Sequence, residues 1–360
     1  MNNNTERLLS IQAIRAISFI LIFISHVELL NTGPVAVSIF LVISGFCMSY
    51  SYLDRPDKLK KSSITNNFAF AWKKIKKLYP LHVVTLLVVA LAVFAKCLFK
   101  GGIDKAFFEQ IGYFVANSLL IQSWIPWRDG YYSFNAVSWY LSTSVFSYFA
   151  FPWIFRIIQS KNKKRIALLL CVSLGLMVAV SIVLGIGYHF LGWQDAVLKY
   201  ITYISPVYRL GDFIVGLVAG YFFVSNRKKA NSKLFTIIEI LIVVILIVQI
   251  YLYDTGLFNS SYLKFSLFWL PASVLLVYFF ACNNGLVSRL LSKCKVLVWL
   301  GNISAEAFLI HQICIKAAEY VTKNKVIIAL IAFPLTILGT VIWRFIYPKI
   351  SAKFNKNAKA

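Results

Sequence analysis

Long apolar runs separated by short polar segments repeat along the whole chain. Eleven of these runs reach or approach the roughly 20 residues that a membrane-spanning helix needs. They lie at approximately 8–30, 35–52, 79–99, 107–124, 136–158, 166–190, 203–225, 234–253, 264–282, 297–320 and 325–347. The pattern predicts an all-α polytopic membrane protein.

The distribution of positive charge sets the number of spans. Basic clusters occur at 53–78, 161–165, 227–233, 288–295 and 349–360. Cytoplasmic loops are the ones rich in Lys and Arg, and all five clusters fall on one side only if 107–124 does not span. That run is also the most polar of the eleven. The sequence therefore predicts about ten transmembrane helices, both termini cytoplasmic, and an extended external segment over about 100–135.

Composition agrees with this fold class and argues against nucleic acid as a partner. The 360 residues are 59% hydrophobic and 14% charged, which is too apolar for a soluble globular protein. The net charge of +24 resides in short clusters between apolar runs, a pattern typical of membrane topology and not of a nucleic-acid surface. Six scattered cysteines without a C-x-x-C pair favour packing roles and predict no metal site. No cleavage site stands out near the N-terminus, so the first run is predicted to be an uncleaved helix.

Arg15 and His26 are the first candidate functional residues, because ionisable side chains inside a span are costly and usually functional. Eleven positions on a helix place them on one face, about 16 Å apart along the axis. A neutral imidazole can take a proton from a hydroxyl, and a guanidinium suits a phosphate, carboxylate or carbonyl. Glu28 follows as a candidate support for His26. The alternative is a structural ion pair for Arg15 and a headgroup contact for His26.

A lysine cluster precedes the third apolar run, in the stretch FAFAWKKIKKLYP at 68–80. Lys73, Lys74 and Lys77 recur at helical spacing, which favours binding of a phosphate-rich ligand. The alternative is that these lysines only anchor the cytoplasmic end of the span.

Three further groups lie inside apolar runs. Arg209 and Asp212 are spaced to pair on one helix face. Trp139 precedes a group of hydroxyl side chains that includes Ser144. His311 lies in the ninth predicted span. Each has a structural alternative: a buried ion pair, helix-packing hydroxyls and a satisfied core histidine, respectively.

Taken in order along residues 8–348, these segments resemble the acyltransferase 3 family of bacterial membrane O-acyltransferases. The matching positions are Arg15 with His26, the segment SIFLVISGF at 38–46, Lys73, Lys74 and Lys77 before Pro80, Trp139, Leu141, Tyr148 and Pro152, Arg209 with Asp212 and Phe213, and Leu300 to His311. The chain departs from the family where Ser144 and Val145 replace an acidic pair and where lysines replace the usual arginines of the basic motif.

The resemblance implies a single membrane acyltransferase domain of the bacterial cell inner membrane, with a core at 8–348, a basic tail at 349–360 and no fused esterase-like domain. It implies acetyl transfer from cytoplasmic acetyl-CoA, as a substrate and not a resident cofactor, to a hydroxyl of a cell-surface or lipid-linked glycan, with O-antigen of lipopolysaccharide as first choice.

The resemblance also assigns roles to residues. His26 and Arg15 are expected to be catalytic, with Lys73, Lys74 and Lys77 binding the donor nucleotide. Secondary candidates are Glu28, Trp139, Ser144, Arg209, Asp212 and His311. Aromatic residues at 124–132 are expected to form a platform for the acceptor or an interfacial belt. The runner-up functions are a transporter or flippase of a lipid-linked sugar or small solute, and a scaffold subunit without catalysis.

Overall fold

A computed structural model describes residues 8–53, 59, 63–226 and 231–357 of the protein. The first seven residues and parts of three basic clusters, including the end of the tail, lie outside this range. The helices are α1 (Leu9–His26), α2 (Gly33–Tyr52), α3 (Ile64–Ile75), α4 (Tyr79–Gly101), α5 (Lys105–Ser118), α6 (Arg128–Tyr131), α7 (Trp139–Gln159), α8 (Lys163–Phe190), α9 (Asp195–Lys199), α10 (Pro206–Ser225), α11 (Ser232–Asp254), α12 (Leu270–Cys282), α13 (Leu286–Lys293), α14 (Lys295–Val321) and α15 (Lys325–Asn357). Short 3-10 turns at 122–124 and 136–138 and a π-helix at 200–204 complete the regular structure of the described part.

The all-α membrane fold is confirmed. Among the described residues, nine helices are long and apolar enough to span a bilayer, and a tenth span arises if the pair α12 and α13, bent by 72°, counts as one. The segment at 107–124 contributes only the 14-residue helix α5, about 21 Å long, which is too short to span. The side of the membrane on which the termini lie stays a prediction.

The end of α5 is held by polar contacts that a lipid-facing helix does not need. His82 Nε2 lies 2.9 Å from the carbonyl oxygen of Asn117, whose side chain donates to Ser133 Oγ at 2.7 Å. The chain then turns through Leu120, whose φ of 55° is a left-handed conformation. These contacts satisfy backbone and side-chain groups that would otherwise be orphaned at membrane depth, which explains why this apolar run turns back.

The predicted span at 264–282 is wrong in its first third. Helix α12 begins only at Leu270, with Pro271 in its first turn, and residues 260–269 form turns. Side chains satisfy the carbonyls of these turns: Trp269 Nε1 donates to Lys264 at 2.7 Å and Gln249 Nε2 donates to Phe268 at 2.6 Å. The turns therefore persist in an apolar stretch because their backbone acceptors have partners.

The centre of the bundle consists of α1, α2, α7, α10 and α14, whereas α8, α11 and α15 expose most of their apolar side chains and form its lipid-facing exterior. Glycines allow the central helices to approach. A Cβ atom at Gly45 would collide with the carbonyl oxygen of Phe213 in α10, and one at Gly301 would collide with the carbonyl oxygen of Gln12 in α1. The glycines of the sequence motifs on α2 and α14 are thus explained by backbone contact.

We expect Gly301→Ala to destabilise the protein by roughly 1–3 kcal/mol, because the new methyl group forces α1 and α14 apart. Gly175→Ala is the matched control, since a Cβ at this position on α8 meets no atom within 4 Å. Thermal unfolding of the purified variants measures the difference. Equal unfolding midpoints for the two variants would show that the contact between α1 and α14 is not tight.

Candidate active site

A cavity of about 1130 Å³ opens at the His26 end of α1, and we call it the His26 cavity. Side chains from α1, α2, α4, α5, α6, α7, α9, α11 and α14 line it together with the turns between them. Its aromatic lining consists of Tyr132, Trp139, Tyr203, Tyr253, Phe265 and Phe308. Charged side chains form another part of the wall. A cavity with flat apolar faces and charged groups suits a polar ligand that also carries apolar ring faces.

His26 and His311 are brought together in this part of the bundle. Nδ1 of His26 lies 2.8 Å from Nε2 of His311, although 285 positions separate the two residues in the chain. His311 is fully buried, and its Nδ1 lies 2.7 Å from the carbonyl oxygen of Phe308. His26, by contrast, is exposed to the His26 cavity.

These two contacts fix the protonation pattern of the pair. A carbonyl oxygen only accepts, so Nδ1 of His311 must carry a proton. A buried imidazole without a carboxylate partner is neutral, because an unpaired buried charge is costly. Nε2 of His311 is then an acceptor, and the proton between the rings belongs to Nδ1 of His26. In the neutral form of His26 the lone pair is then on Nε2, which has no hydrogen-bond partner among the described residues.

A second, smaller cavity of about 300 Å³ contains Arg15, and we call it the Arg15 cavity. Ser144 lines it as well, at the position where the resemblance expects an acid, and its hydroxyl donates to the backbone of Tyr140 at 2.8 Å. Arg15 has no carboxylate within ion-pair distance among the described residues. A guanidinium in this position can bind an anion or a carbonyl group.

Of the three predicted donor-binding lysines, the structure places only Lys74 in the Arg15 cavity. Lys73 and Lys77 are exposed on or beyond the end of α3. The ammonium group of Lys74 lies 4.6 Å from the ring centroid of Tyr52. Burial, together with the positive charge of Lys73, lowers the pKa of Lys74 to about 8.

Phe308 lines both the His26 cavity and the Arg15 cavity. The ring packs edge-on against Tyr140, with centroids 5.6 Å apart, and lies 5.7 Å from the ring of His311. Phe308 is thus a lining residue that the two cavities share.

Two other predicted site residues, Trp139 and Glu28, line the His26 cavity. Trp139 lines the His26 cavity, 5.0 Å from the ring of Tyr203. Glu28 also lines it, but its carboxylate pairs with Lys325 at 3.1 Å, and in the described part of the chain no hydrogen bond joins it to His26. The predicted support of His26 by Glu28 is therefore replaced by the contact with His311.

Arg209 and Asp212 pair as predicted, at 3.4 Å, but they are fully buried and line neither cavity. Asp212 accepts from Ser266 at 3.0 Å, and Arg209 donates to the carbonyl oxygen of Phe265 at 3.2 Å. This ion pair holds the turns at 260–269, and with them Phe265, against the His26 cavity.

Sequence reasoning missed several residues of the wall, above all Phe308, Lys199 and Tyr203. Phe308 lies in the closing motif of the resemblance, three positions before His311, so helical spacing could have placed it beside that histidine. The sequence does not distinguish Lys199 and Tyr203 as site residues. A lysine beside an apolar run is also the ordinary pattern at the end of a membrane-spanning helix.

Comparison with known proteins identifies the family of the chain. A family model described as an acyltransferase domain, of the acyltransferase 3 type, matches residues 8–345. Acyltransferase MdmB of Streptomyces mycarofaciens is 30% identical over 195 residues, which cover 52% of this chain and 46% of that protein, so the match spans about half the length of this curated relative. No solved structure matches. The family match covers nearly the whole chain, and the protein, whose helices are those of a multi-pass membrane protein, therefore belongs to the acyltransferase 3 family.

Proposed function

We propose that the protein transfers an acyl group, acetyl as first choice, from acyl-CoA in the Arg15 cavity to a hydroxyl in the His26 cavity. The observation that carries the proposal is the His26–His311 contact, which leaves an unprotonated ring nitrogen facing a large cavity beside a second, basic cavity. The family and the acyltransferase relative support the reaction class.

The donor would enter from the side of α3. Lys74 would bind a phosphate of the CoA nucleotide, and Arg15 would hold the pantetheine arm or the carbonyl that it carries. Because Arg15 and His26 are about 16 Å apart along α1 and line different cavities, we assign Arg15 to holding the donor and not to the proton transfer. The thioester would reach His26 past Phe308.

His26 would then act as general base. Nε2 accepts the proton of the acceptor hydroxyl as the hydroxyl oxygen bonds to the thioester carbonyl carbon. Collapse of the tetrahedral intermediate breaks the carbon–sulfur bond, and the proton on His26 passes to the departing thiolate of CoA. His311 accepts the hydrogen bond from Nδ1 and keeps the ring in the tautomer that the first step requires.

The acceptor that we propose is a glycan or lipid-linked glycan on the outer face of a bacterial inner membrane, with O-antigen as first choice. The aromatic lining of the His26 cavity supports a sugar acceptor, since aromatic faces pack against the apolar faces of sugar rings.

Membrane vesicles that contain the protein, supplied with radiolabelled acetyl-CoA, test this function. We expect label in the glycan or lipid-linked glycan fraction when acetyl-CoA has access to the face at α3, and none when it has access only to the opposite face. No label from either face, at normal protein abundance, would overturn the proposal.

We expect the use of acetyl-CoA to weaken between pH 7 and pH 9. Lys74 is charged below its pKa of about 8 and loses its charge above it, so its attraction for phosphate falls as the pH rises. The Michaelis constant for acetyl-CoA should rise by about fivefold over this range, the effect of one charge-assisted contact.

Lys74→Arg should remove most of this pH dependence, because a guanidinium remains charged throughout the range. Lys73→Arg is the matched control, since Lys73 is exposed and lies outside the Arg15 cavity. The same pH dependence in Lys74→Arg as in the wild type would exclude Lys74 from donor binding.

A further inference from the structure

The His26 cavity contains positive charge that the protein itself does not neutralise. Lys96, Arg128 and Lys199 line the cavity, and none has a carboxylate within ion-pair distance among the described residues. Arg128 and Lys199 are close enough for each charge to oppose the other, and Lys264 adds a third charge beside them. Like charges repel, so a bound anion would relieve the repulsion between these side chains.

Most of the acidic groups of the same wall already have partners. Glu319 pairs with Lys316 at 2.7 Å, and Glu28 pairs with Lys325 at 3.1 Å. Asp104 accepts from the backbone N–H of Phe107 at 2.9 Å and thereby caps α5. Asp129, next to Arg128 in the chain, also lines the wall and has no ion pair among the described residues, whereas the charges close to Lys199 are those of Arg128 and Lys264.

Lys199 is also held in place by its surroundings. Its ammonium group lies 5.5 Å from the ring centroid of Tyr132 and 5.9 Å from that of Phe265, and Lys264 lies 5.4 Å from the same Phe265 ring. The Phe265 carbonyl is in turn fixed by the buried Arg209. Lys199 is thus a partly buried cation between two rings, a position that strengthens its attraction for an anion.

The backbone next to Lys199 is unusual. Residues 200–204 form a π-helix, in which Ser205 N–H donates to the carbonyl oxygen of Tyr200 at 2.8 Å. Such segments are rare and occur frequently at functional sites. The π-helix directs Tyr203 to the His26 cavity alongside Lys199.

Burial raises the pKa of Tyr132 well above its usual value, and the hydroxyls of Tyr203 and Tyr131 add to the effect. Tyr132 therefore keeps its proton and is available as a hydrogen-bond donor. It lies beneath the ammonium group of Lys199, on the same wall.

We propose that the acceptor carries an anionic group, a carboxylate or a phosphate, and that Lys199 and Arg128 bind this group while the hydroxyl to be acylated lies at His26. This inference rests on the proposed function and names the class of its acceptor. The volume of about 1130 Å³, at or above the usual upper range of about 1,000 Å³ for small-ligand sites, leaves room for an acceptor that contacts Lys199 as well as His26. An acidic sugar and the phosphate that links a glycan to a lipid both satisfy this chemistry.

Direct binding of two matched pairs of probes tests the proposal without requiring catalysis. The first pair is p-nitrophenyl glucuronide and p-nitrophenyl glucoside, and the second is geranyl phosphate and geraniol. Dissociation constants are measured on the purified protein in nanodiscs of neutral lipid. In at least one pair we expect the anionic probe to bind about tenfold more tightly, as one charge-assisted hydrogen bond allows. The pair that shows the preference identifies the source of the anion.

Variants of Lys199 test whether this residue causes the preference for the anionic probe. Lys199→Gln should reduce the preference to about twofold, and Lys199→Arg should retain it, since both lysine and arginine carry the required charge. Lys105→Gln should leave it unchanged, because Lys105 is exposed and lies outside the cavity. The affinity for acetyl-CoA should be the same in all four proteins.

Equal affinities within both pairs, or an unchanged preference in Lys199→Gln, would overturn the inference. The failure of the proposed function has a different signature. An anion preference that depends on Lys199, in a protein that transfers no acyl group, would retain the binding site and reject the reaction.

Discussion

In the His26→Ala variant we expect acyl transfer to fall by about 10³-fold, which is the middle of the range for loss of a general base. The methyl group of alanine accepts no proton, and no other imidazole of the described residues faces the His26 cavity with a free nitrogen. The Michaelis constant for acetyl-CoA should change little, because the donor is bound in the Arg15 cavity. The measurement is the rate of label transfer at saturating acetyl-CoA and equal protein abundance.

His189→Ala is the matched control for this variant. His189 is an exposed histidine at the end of α8, and it lines neither cavity. We expect the rate of this variant to be that of the wild type. A His26→Ala protein that is folded and transfers label at the normal rate would remove His26 from the mechanism.

The same proteins also separate direct transfer from an acyl-histidine intermediate. In direct transfer, the wild-type protein incubated with labelled acetyl-CoA and no acceptor stays unlabelled. With a covalent intermediate, the wild type retains about one label per chain and His26→Ala retains none.

The fold could be predicted from the sequence because the bilayer imposes simple rules on length and charge. Apolar runs of about 20 residues mark the spans, and the basic clusters correctly excluded 107–124 as a span. The start of α12 could not be predicted in this way. Hydropathy measures how apolar a residue is, but it does not show that the side chains of Gln249 and Trp269 donate to the carbonyls of the turns before α12.

The candidate site, too, could be predicted from the sequence only in part. Helical spacing places Arg15 and His26 on one face of α1, but it does not show that the two side chains line different cavities, both of which Phe308 on another helix also lines. Spacing along α3 also treats the lysines as equivalent, whereas packing against Tyr52 selects Lys74. Which side chains meet across helices depends on packing, and a single sequence contains no direct record of it.

The contact of His26 with His311 is the clearest case of such long-range packing, and it leads to the second large effect. We expect His311→Leu to reduce acyl transfer by about 10²-fold at saturating substrates, while the Michaelis constant for acetyl-CoA stays unchanged. Leucine accepts no hydrogen bond, so Nδ1 of His26 loses its partner and the ring loses the constraint that keeps the lone pair on Nε2. Loss of the correct tautomer costs about 10⁴-fold in a serine protease, where the orienting group is a charged carboxylate, and a neutral partner should cost less.

His311→Gln separates orientation from proton transfer. The side-chain oxygen of glutamine reaches about as far as Nε2 of histidine and accepts a hydrogen bond, but the amide takes up no proton. If His311 orients His26, the glutamine variant should retain at least about a tenth of the wild-type rate, well above the leucine variant. If His311 itself relays the proton, both variants should be equally inactive. Equal and normal rates in both would show that the contact is structural, because a purely packing role is met by leucine, which fills the buried site between Phe19 and Phe23.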